Sequence, residues 1–135
     1  MTKPAFVKPI NNLVSSSARV PEQIKGRLLL IYVETLKGGK EKCMAAIVDK
    51  DITRPLKSVL VLEAWSPGDL AHMRKHLDPL HMKVVSLTNA RIAQRGKTMV
   101  FYDSNIKCAW DTKTKVEAAA DDPEYPMVFP ALPDM

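Results

Sequence analysis

The chain has 135 residues, of which 46% are apolar, and a formal net charge of +5. This length fits one domain with its own core, and the apolar content excludes disorder of the whole chain. No apolar run approaches the ~20 residues that a transmembrane helix needs. The N-terminus also lacks the hydrophobic region of a signal peptide. We therefore expect a soluble, intracellular protein that is not associated with a membrane.

The charges are distributed unevenly along the chain. All 20 Lys and Arg residues lie within residues 1–116. The remaining residues carry only acidic charges, which are those of Glu117, Asp121, Asp122, Glu124 and Asp134. A basic body predicts a polyanionic partner, although lysines that merely solvate the surface would produce the same composition.

The first third of the chain predicts an arm followed by a hairpin. Residues 1–24 contain three prolines with Asn and Ser runs, which indicates an N-terminal arm with little regular structure. Residues 26–35 and 43–48 are rich in β-formers and predict the first two strands. A Gly-Gly pair within residues 36–42 supplies the positive-φ positions that a hairpin needs, so this basic segment is predicted to be the connecting loop.

A helix with a recognisable start follows the third strand. A proline-containing turn leads to that strand over residues 58–65. Ser66 can cap the helix and is followed by proline, which suits the first helical position. Leu70, Met73 and Leu77 form one apolar stripe, and the helix is predicted to end at about the last of them, before an Asp-Pro pair.

Three strand-like segments follow the helix, at residues 83–92, 98–102 and 106–110, and the last continues or adds to the one before it. The resulting order is β-β-β-α-β-β. It predicts an all-β protein with one helix: a five-stranded Greek-key barrel of the OB-fold type, with the helix between strands 3 and 4. Strands and helices do not alternate, which argues against a parallel α/β sheet.

The barrel is predicted to span residues 25–117, with extended arms on both sides and an acidic, Pro-rich C-terminal tail at residues 118–135. Four prolines exclude a regular helix or a central strand across most of this tail. Acidic residues stand beside Tyr125 and Phe129, which suggests a docking peptide for a protein partner. The alternative is an ordered tail that packs on its own barrel.

Four short segments carry a family resemblance. They are Gly-Arg at 26–27, IVDKD at 47–51, LEAW at 62–65 and KVVSLTNARI at 83–92. On these segments, residues 26–117 resemble a single-strand-binding OB domain of the replication protein A type. The resemblance implies a groove between the loop joining strands 1 and 2 and the loop joining strands 4 and 5.

Basic residues are expected to flank that groove and neutralise phosphates. These residues are Lys37, Lys40, Lys42, Arg91, Arg95 and Lys97. We expect the tips of the two hairpins that carry them to lie side by side on one curved sheet.

Aromatic stacking is less clearly provided for. Members of this family often place aromatic residues on strands 2 and 4, where this chain has Cys43 and Leu87. The remaining candidates are Tyr32, Phe101 and Tyr102. The last two point to opposite faces of one strand, and the tyrosine is expected to be the exposed one because its hydroxyl tolerates water. Without stacking at the two family positions, the groove would bind nucleic acid weakly, bind it through these other aromatic residues, or bind a protein instead.

Two tryptophans and two cysteines are expected in the core. Trp65 precedes the helix, where its family counterpart packs the helix on the barrel, and the alternative for it is a contact role. Trp110 alternates with apolar residues, which favours a core or edge-packing role over stacking. Cys43 and Cys108 lie in strand-like runs without a CxxC partner, which predicts buried, reduced thiols.

The sequence contains no recognisable catalytic or metal motif. His72 and His76 are one helical turn apart and His81 follows, but the HExxH pattern is absent and the neighbouring residues are basic. These histidines therefore predict a solvated helix face. A nucleophile elbow, a P-loop and a GxGxxG motif are also absent, so we expect neither an enzyme nor a cofactor.

The expected function is non-enzymatic binding of single-stranded DNA, ahead of RNA, in DNA replication, repair or recombination. The alternative is an OB-fold protein-interaction subunit of a replication, telomere or RNA-processing complex. The two functions can coexist. The acidic tail can also fold back onto the basic groove and compete with nucleic acid.

Overall fold

A computed structural model describes residues 7–14, 16–50, 58–94 and 106–128. Three antiparallel strands come first, and they are β1 (Ile24–Thr35), β2 (Glu41–Val48) and β3 (Val59–Ala64). One helix follows, α1 (Pro67–Leu77). The later strands are β4 (Val84–Thr88), β5 (Ile92–Gln94), β6 (Ile106–Ala109) and β7 (Lys115–Ala118).

The strands form one sheet in the order β5-β6-β3-β2-β1-β4-β7. β4 pairs antiparallel with β1, whereas β5 pairs antiparallel with β6, which lies parallel to β3. β4 and β5 are consecutive in the chain, so the short link between them joins the two sides of the sheet. The link closes the sheet into a barrel.

The link bends at Asn89, which has a positive φ of 58°. Asparagine tolerates this region better than most residues. Its carbonyl oxygen accepts a hydrogen bond from Arg19 at 2.9 Å, and its side-chain amide donates to the carbonyl of Lys113 at 2.9 Å. Contacts from the N-terminal arm and from the segment between β6 and β7 therefore hold the bend.

The predicted order of strands and helix is confirmed, with seven strands among the described residues in place of the predicted five. The predicted strand over residues 83–92 is divided into β4 and β5 by the bend. β7 was not predicted because its four residues are largely exposed and carry little apolar pattern; it adds to the outer edge of β4. The predicted strand at residues 98–102 lies outside the described residues.

Alternate side chains of the strands fill the barrel. Cys43, Ala45 and Ile47 of β2 and the even-numbered residues of β3 are buried in one cluster. Cys43 and Cys108 are both free and buried, as predicted, and burial raises the pKa of Cys108 to about 12.

The helix α1 is confirmed in detail. The Ser66 hydroxyl accepts a hydrogen bond from the backbone N–H of Asp69 at 3.1 Å, Pro67 occupies the first turn, and Met73 and Leu77 are buried. Within the described residues, no helix has the length and apolar character needed to cross a membrane.

The N-terminal arm packs on the barrel. Ile10 and Leu13 belong to the core cluster, and the backbone N–H groups of Ser16 and Val20 donate to carbonyl oxygens of the β4–β5 region at 3.0 and 2.8 Å. The arm therefore covers the segment that closes the barrel.

The C-terminal tail is held by a buried arginine. Arg27 of β1 is 2% exposed. Its guanidinium donates to the carbonyl oxygens of Met82, Asp122 and Tyr125 at 2.8, 3.0 and 3.0 Å, and it lies 3.2 Å from the carboxylate of Asp121. We call these contacts the Arg27 clamp.

Candidate nucleic-acid interface

The glycine turn between β1 and β2 lies beside the end of β3. Gly38 and Gly39 have φ angles of +93° and +86°, which only glycine adopts readily. β2 begins at this turn, and its residue Cys43 pairs with Ala64, the last residue of β3. The turn therefore stands next to Trp65 and the start of α1.

The end of β5 and the start of β6, which flank residues 95–105, lie at the other end of β3. Leu62 pairs with Cys108, and the two strands run in the same direction. Ile106 and its partner Gln94 are therefore displaced toward the start of β3. These strand ends thus lie away from the glycine turn, but the tip of this hairpin, at residues 95–105, lies outside the described residues, so the expectation that the two tips lie side by side stays a prediction.

Three of the predicted basic residues are exposed near the glycine turn. Lys37 and Lys40 lie in the turn itself. Arg91 precedes β5, and its carbonyl oxygen accepts a hydrogen bond from the N–H of Ala109 at 2.9 Å. Since Ala109 pairs with Glu63 near the end of β3, Arg91 belongs to the same end of the barrel.

The other predicted residues have different positions. Lys42 lies within β2 and is ion-paired, so it is not a loop residue as predicted. Tyr32 is half-buried, with its hydroxyl 3.1 Å from Sδ of Met44. Cys43 and Leu87, at the family's stacking positions, point into the core. The remaining candidates, Arg95, Lys97, Phe101 and Tyr102, lie outside the described residues.

Trp65 was predicted to lie in the core. It does not, since 52% of its surface is exposed. Successive residues of a strand point to opposite faces. Leu62 and Ala64 face the barrel interior, so Glu63 and Trp65 face outward. The alternation in the sequence was the signal that could have placed Trp65 outside.

Trp65, Glu63, Lys42 and Lys107 form what we call the Trp65 cluster. Glu63 is 4% exposed, and its carboxylate oxygens lie 3.5 Å from Nζ of Lys42 and 3.4 Å from Nζ of Lys107. The same two ammonium groups lie 4.7 and 5.3 Å from the centroid of the Trp65 ring. Cation–π attraction and ion pairing therefore hold the indole in one place. Lys107 was not singled out from the sequence, and Glu63 was interpreted as a scattered surface carboxylate, whereas it is 4% exposed.

The exposed part of Trp65 borders a cavity of about 510 Å³. The other lining residues are Gly39, Lys40, Glu41, Ser66, Pro67 and Leu70. Its volume is that of a small-ligand site. An aromatic surface beside an exposed lysine can stack on a flat ring and attract an anionic group attached to that ring.

The second tryptophan is buried, as predicted, and is paired with a histidine. The Trp110 indole N–H donates to Nδ1 of His72 at 3.0 Å. His72 is therefore half-buried and bonded, contrary to the predicted solvated face, whereas His76 and His81 are exposed. Among the described residues, no three His, Cys, Asp or Glu side chains come together as metal ligands would.

This hydrogen bond makes the protein's stability depend on pH. An indole N–H can only donate, so Nδ1 of His72 must be unprotonated. Burial, with the neighbouring His76, lowers the pKa of His72. The unfolded chain therefore binds a proton here more readily than the folded protein, and stability is complete above pH ~6.5 and falls as the pH drops through the lowered pKa.

We expect His72→Ala to lower the free energy of unfolding by about 1–3 kcal/mol at pH ~8, because the buried Trp110 N–H loses its acceptor. The variant should also lose the part of the acid-side decline that His72 causes. Urea denaturation at a series of pH values measures both effects, with the exposed His81→Ala as control, since His81 is not among the groups that shift the pKa of His72. Equal stability of His72→Ala and the native protein at every pH would contradict this account.

Of the two predicted partner-binding residues of the tail, the structure describes only Tyr125, which is buried on the chain's own barrel. Tyr125 is 4% exposed, because the Arg27 clamp holds its backbone against the chain's own barrel. Its side chain does not face a partner in this conformation, and Phe129 lies outside the described residues. The exposed apolar side chains at the described end of the tail are those of Met127 and Val128, at 61% and 72%.

No family model and no curated protein matches the sequence. Solved structures do resemble the fold. A chain of a replication protein A heterotrimer bound to single-stranded DNA has a TM-score of 0.63 at 17% identity, over 90% of this chain and 27% of that chain. The replication factor A related protein from Methanobacterium thermoautotrophicum has a TM-score of 0.54 at 17% identity, over 88% and 96%. Schizosaccharomyces pombe Pot1pC bound to single-stranded DNA has a TM-score of 0.53 at 9% identity, over 89% of this chain and 91% of that chain.

These similarities, together with the barrel closure and the position of α1, establish an OB fold. The predicted resemblance to OB domains of the replication protein A type is confirmed for the fold. The chain spans 27% of the length of the replication protein A chain that it matches.

Proposed function

We propose that this protein binds single-stranded nucleic acid, DNA ahead of RNA, by stacking an unpaired base on Trp65. The observation that carries the proposal is the exposed indole of Trp65, which borders a cavity beside Lys40 on an OB barrel. A base of any identity can stack on an indole, so recognition would depend little on sequence.

Charge supports the same reading. Lys37, Lys40 and Arg91 are exposed at the end of the barrel that carries Trp65, and they can neutralise the phosphates on either side of a stacked base. Two of the similar structures are described as bound to single-stranded DNA. The protein would act without catalysis, in DNA replication, repair or recombination.

The test is a titration of labelled single-stranded oligonucleotides at rising salt. We expect log Kobs to fall linearly with log salt concentration. The double variant Lys37→Glu/Lys40→Glu should weaken binding roughly equally for all sequences and flatten the salt dependence. Lys83→Glu is the matched control, because Lys83 is also exposed but precedes β4 at the other end of the barrel. Absence of binding at about 50 mM salt would reject the proposal.

A protein-binding role is the second candidate, favoured by the exposed Met127 and Val128. The Arg27 clamp holds the tail near the start of β1, whereas the glycine turn and Trp65 lie beyond its end, so residues 118–125 do not cover Trp65. Removal of residues 126–135 keeps the clamp and is the deletion to use. Loss of partner capture on this deletion would support the role; unchanged nucleic-acid affinity would exclude competition by the removed segment.

A further inference from the structure

The Trp65 cluster contains a buried carboxylate, that of Glu63, which is not needed for a base to stack on the indole. Glu63 is 4% exposed and pairs the two lysines that contact the indole. The side chains of Lys42 and Lys107 are only 14% and 15% exposed. Charges removed from water to this extent are stable only when they are paired. Glu63 and the two lysines therefore depend on one another.

The charges of this network cancel. Nζ of Lys42 also lies 3.5 Å from the carboxylate of Glu34, so two ammonium groups share two carboxylates. The two ammonium groups that contact the indole are therefore the same ones that Glu63 pairs. The two lysines at the ring are thus already neutralised, unlike Lys37 and Lys40 in the glycine turn, which are exposed.

We propose that Glu63 is a positioning and specificity-determining residue, which makes the Trp65 site a rigid, nearly neutral platform for a nucleobase. Its carboxylate holds the two lysines against the indole and withholds their charges from phosphates. Binding at this site then depends on whether the strand carries a base there. The salt-dependent part of the affinity comes from lysines outside the cluster. This inference rests on the proposed function and assigns the ligand's base, not its phosphate, to this site.

The binding test compares the native protein with Glu63→Gln, which keeps the shape of the side chain and removes its charge. The ligands are an oligonucleotide and its abasic counterpart, each titrated at several salt concentrations. The native protein should bind the intact strand about 10-fold more tightly or better. In Glu63→Gln this ratio should fall at least about threefold. The salt slope should steepen by up to about 1.4, since two freed lysines can each neutralise a phosphate on a single strand.

Glu34→Gln is the matched control. The Glu34 side chain is more exposed than that of Glu63 and pairs with Lys42, whereas Lys107 pairs with Glu63. It should shift the salt slope by less than half as much and leave the abasic ratio unchanged. A Glu63→Gln protein with the native slope and the native abasic ratio would overturn the inference.

A second measurement needs no nucleic acid. Acrylamide quenching of tryptophan fluorescence reports access to the indole, and Trp65→Phe gives the contribution of the buried Trp110 for subtraction. Release of the indole in Glu63→Gln should change the Trp65 quenching constant about twofold. If the native protein binds no oligonucleotide and this change is present, the proposed function fails but the positioning role stands; an unchanged constant overturns the positioning role. Should Glu63→Gln not fold, Lys107→Met is measured in the same way, with the same two outcomes.

Discussion

Trp65→Ala is expected to weaken binding of a single-stranded oligonucleotide by about 5- to 150-fold, which corresponds to the ~1–3 kcal/mol that stacking contributes per base. The ring is 52% exposed, so its removal should cost the fold little. The cation–π contacts with Lys42 and Lys107 are worth only about 0.5–1 kcal/mol at such a site, and both lysines keep their pairing with Glu63.

Fluorescence anisotropy at one fixed salt concentration measures this loss, and a thermal melt verifies the fold. Trp65→Phe retains a ring and should recover a large part of the affinity. Val14→Ala is the matched control, because Val14 is an exposed apolar residue of the N-terminal arm. Native affinity in Trp65→Ala would show that bases stack elsewhere on the molecule.

The second large effect concerns stability, since Arg27→Met should lower the free energy of unfolding by about 2–4 kcal/mol. The substitution keeps an apolar stem of similar length but removes every donor of the Arg27 clamp. The carbonyl oxygens of Met82, Asp122 and Tyr125 then lose their partner. The tail should separate from the barrel, and limited proteolysis should cut it earlier than in the native protein.

Asp121→Asn separates the two parts of the clamp. The Asp121 side chain is 79% exposed, and an ion pair with so exposed a partner contributes at most about 1 kcal/mol. This variant should therefore stay close to native stability under chemical denaturation. A loss as large as that of Arg27→Met would mean that the ion pair, and not the carbonyl contacts, holds the tail. Oligonucleotide affinity of folded Arg27→Met should be native, because the clamp and Trp65 lie at opposite ends of β1.

Local patterns were sufficient for most elements of the fold. The Ser-Pro start of α1 and its apolar stripe, the glycine turn and the strand-like segments each depend on residues close in sequence, and their order is enough to indicate an OB barrel. The burial of Cys43 and Cys108 follows from the same alternation. The basic turn residues Lys37 and Lys40 were also found this way, since a hairpin loop is exposed by its nature.

The arrangement of the candidate site was decided by contacts between distant segments. The parallel pairing of β6 with β3 brings Lys107 to Glu63, while the bend at Asn89 divides one predicted strand into two. The sequences around Lys42 and Tyr125 suggest free surface residues. Lys42 is instead paired with Glu34 and Glu63, and the Arg27 clamp holds Tyr125 on the barrel. Composition and alternation in the sequence determined which residues could form strands, helix and turns; only the closed barrel decided which charges meet, because pairing between strands far apart in sequence has no local signal.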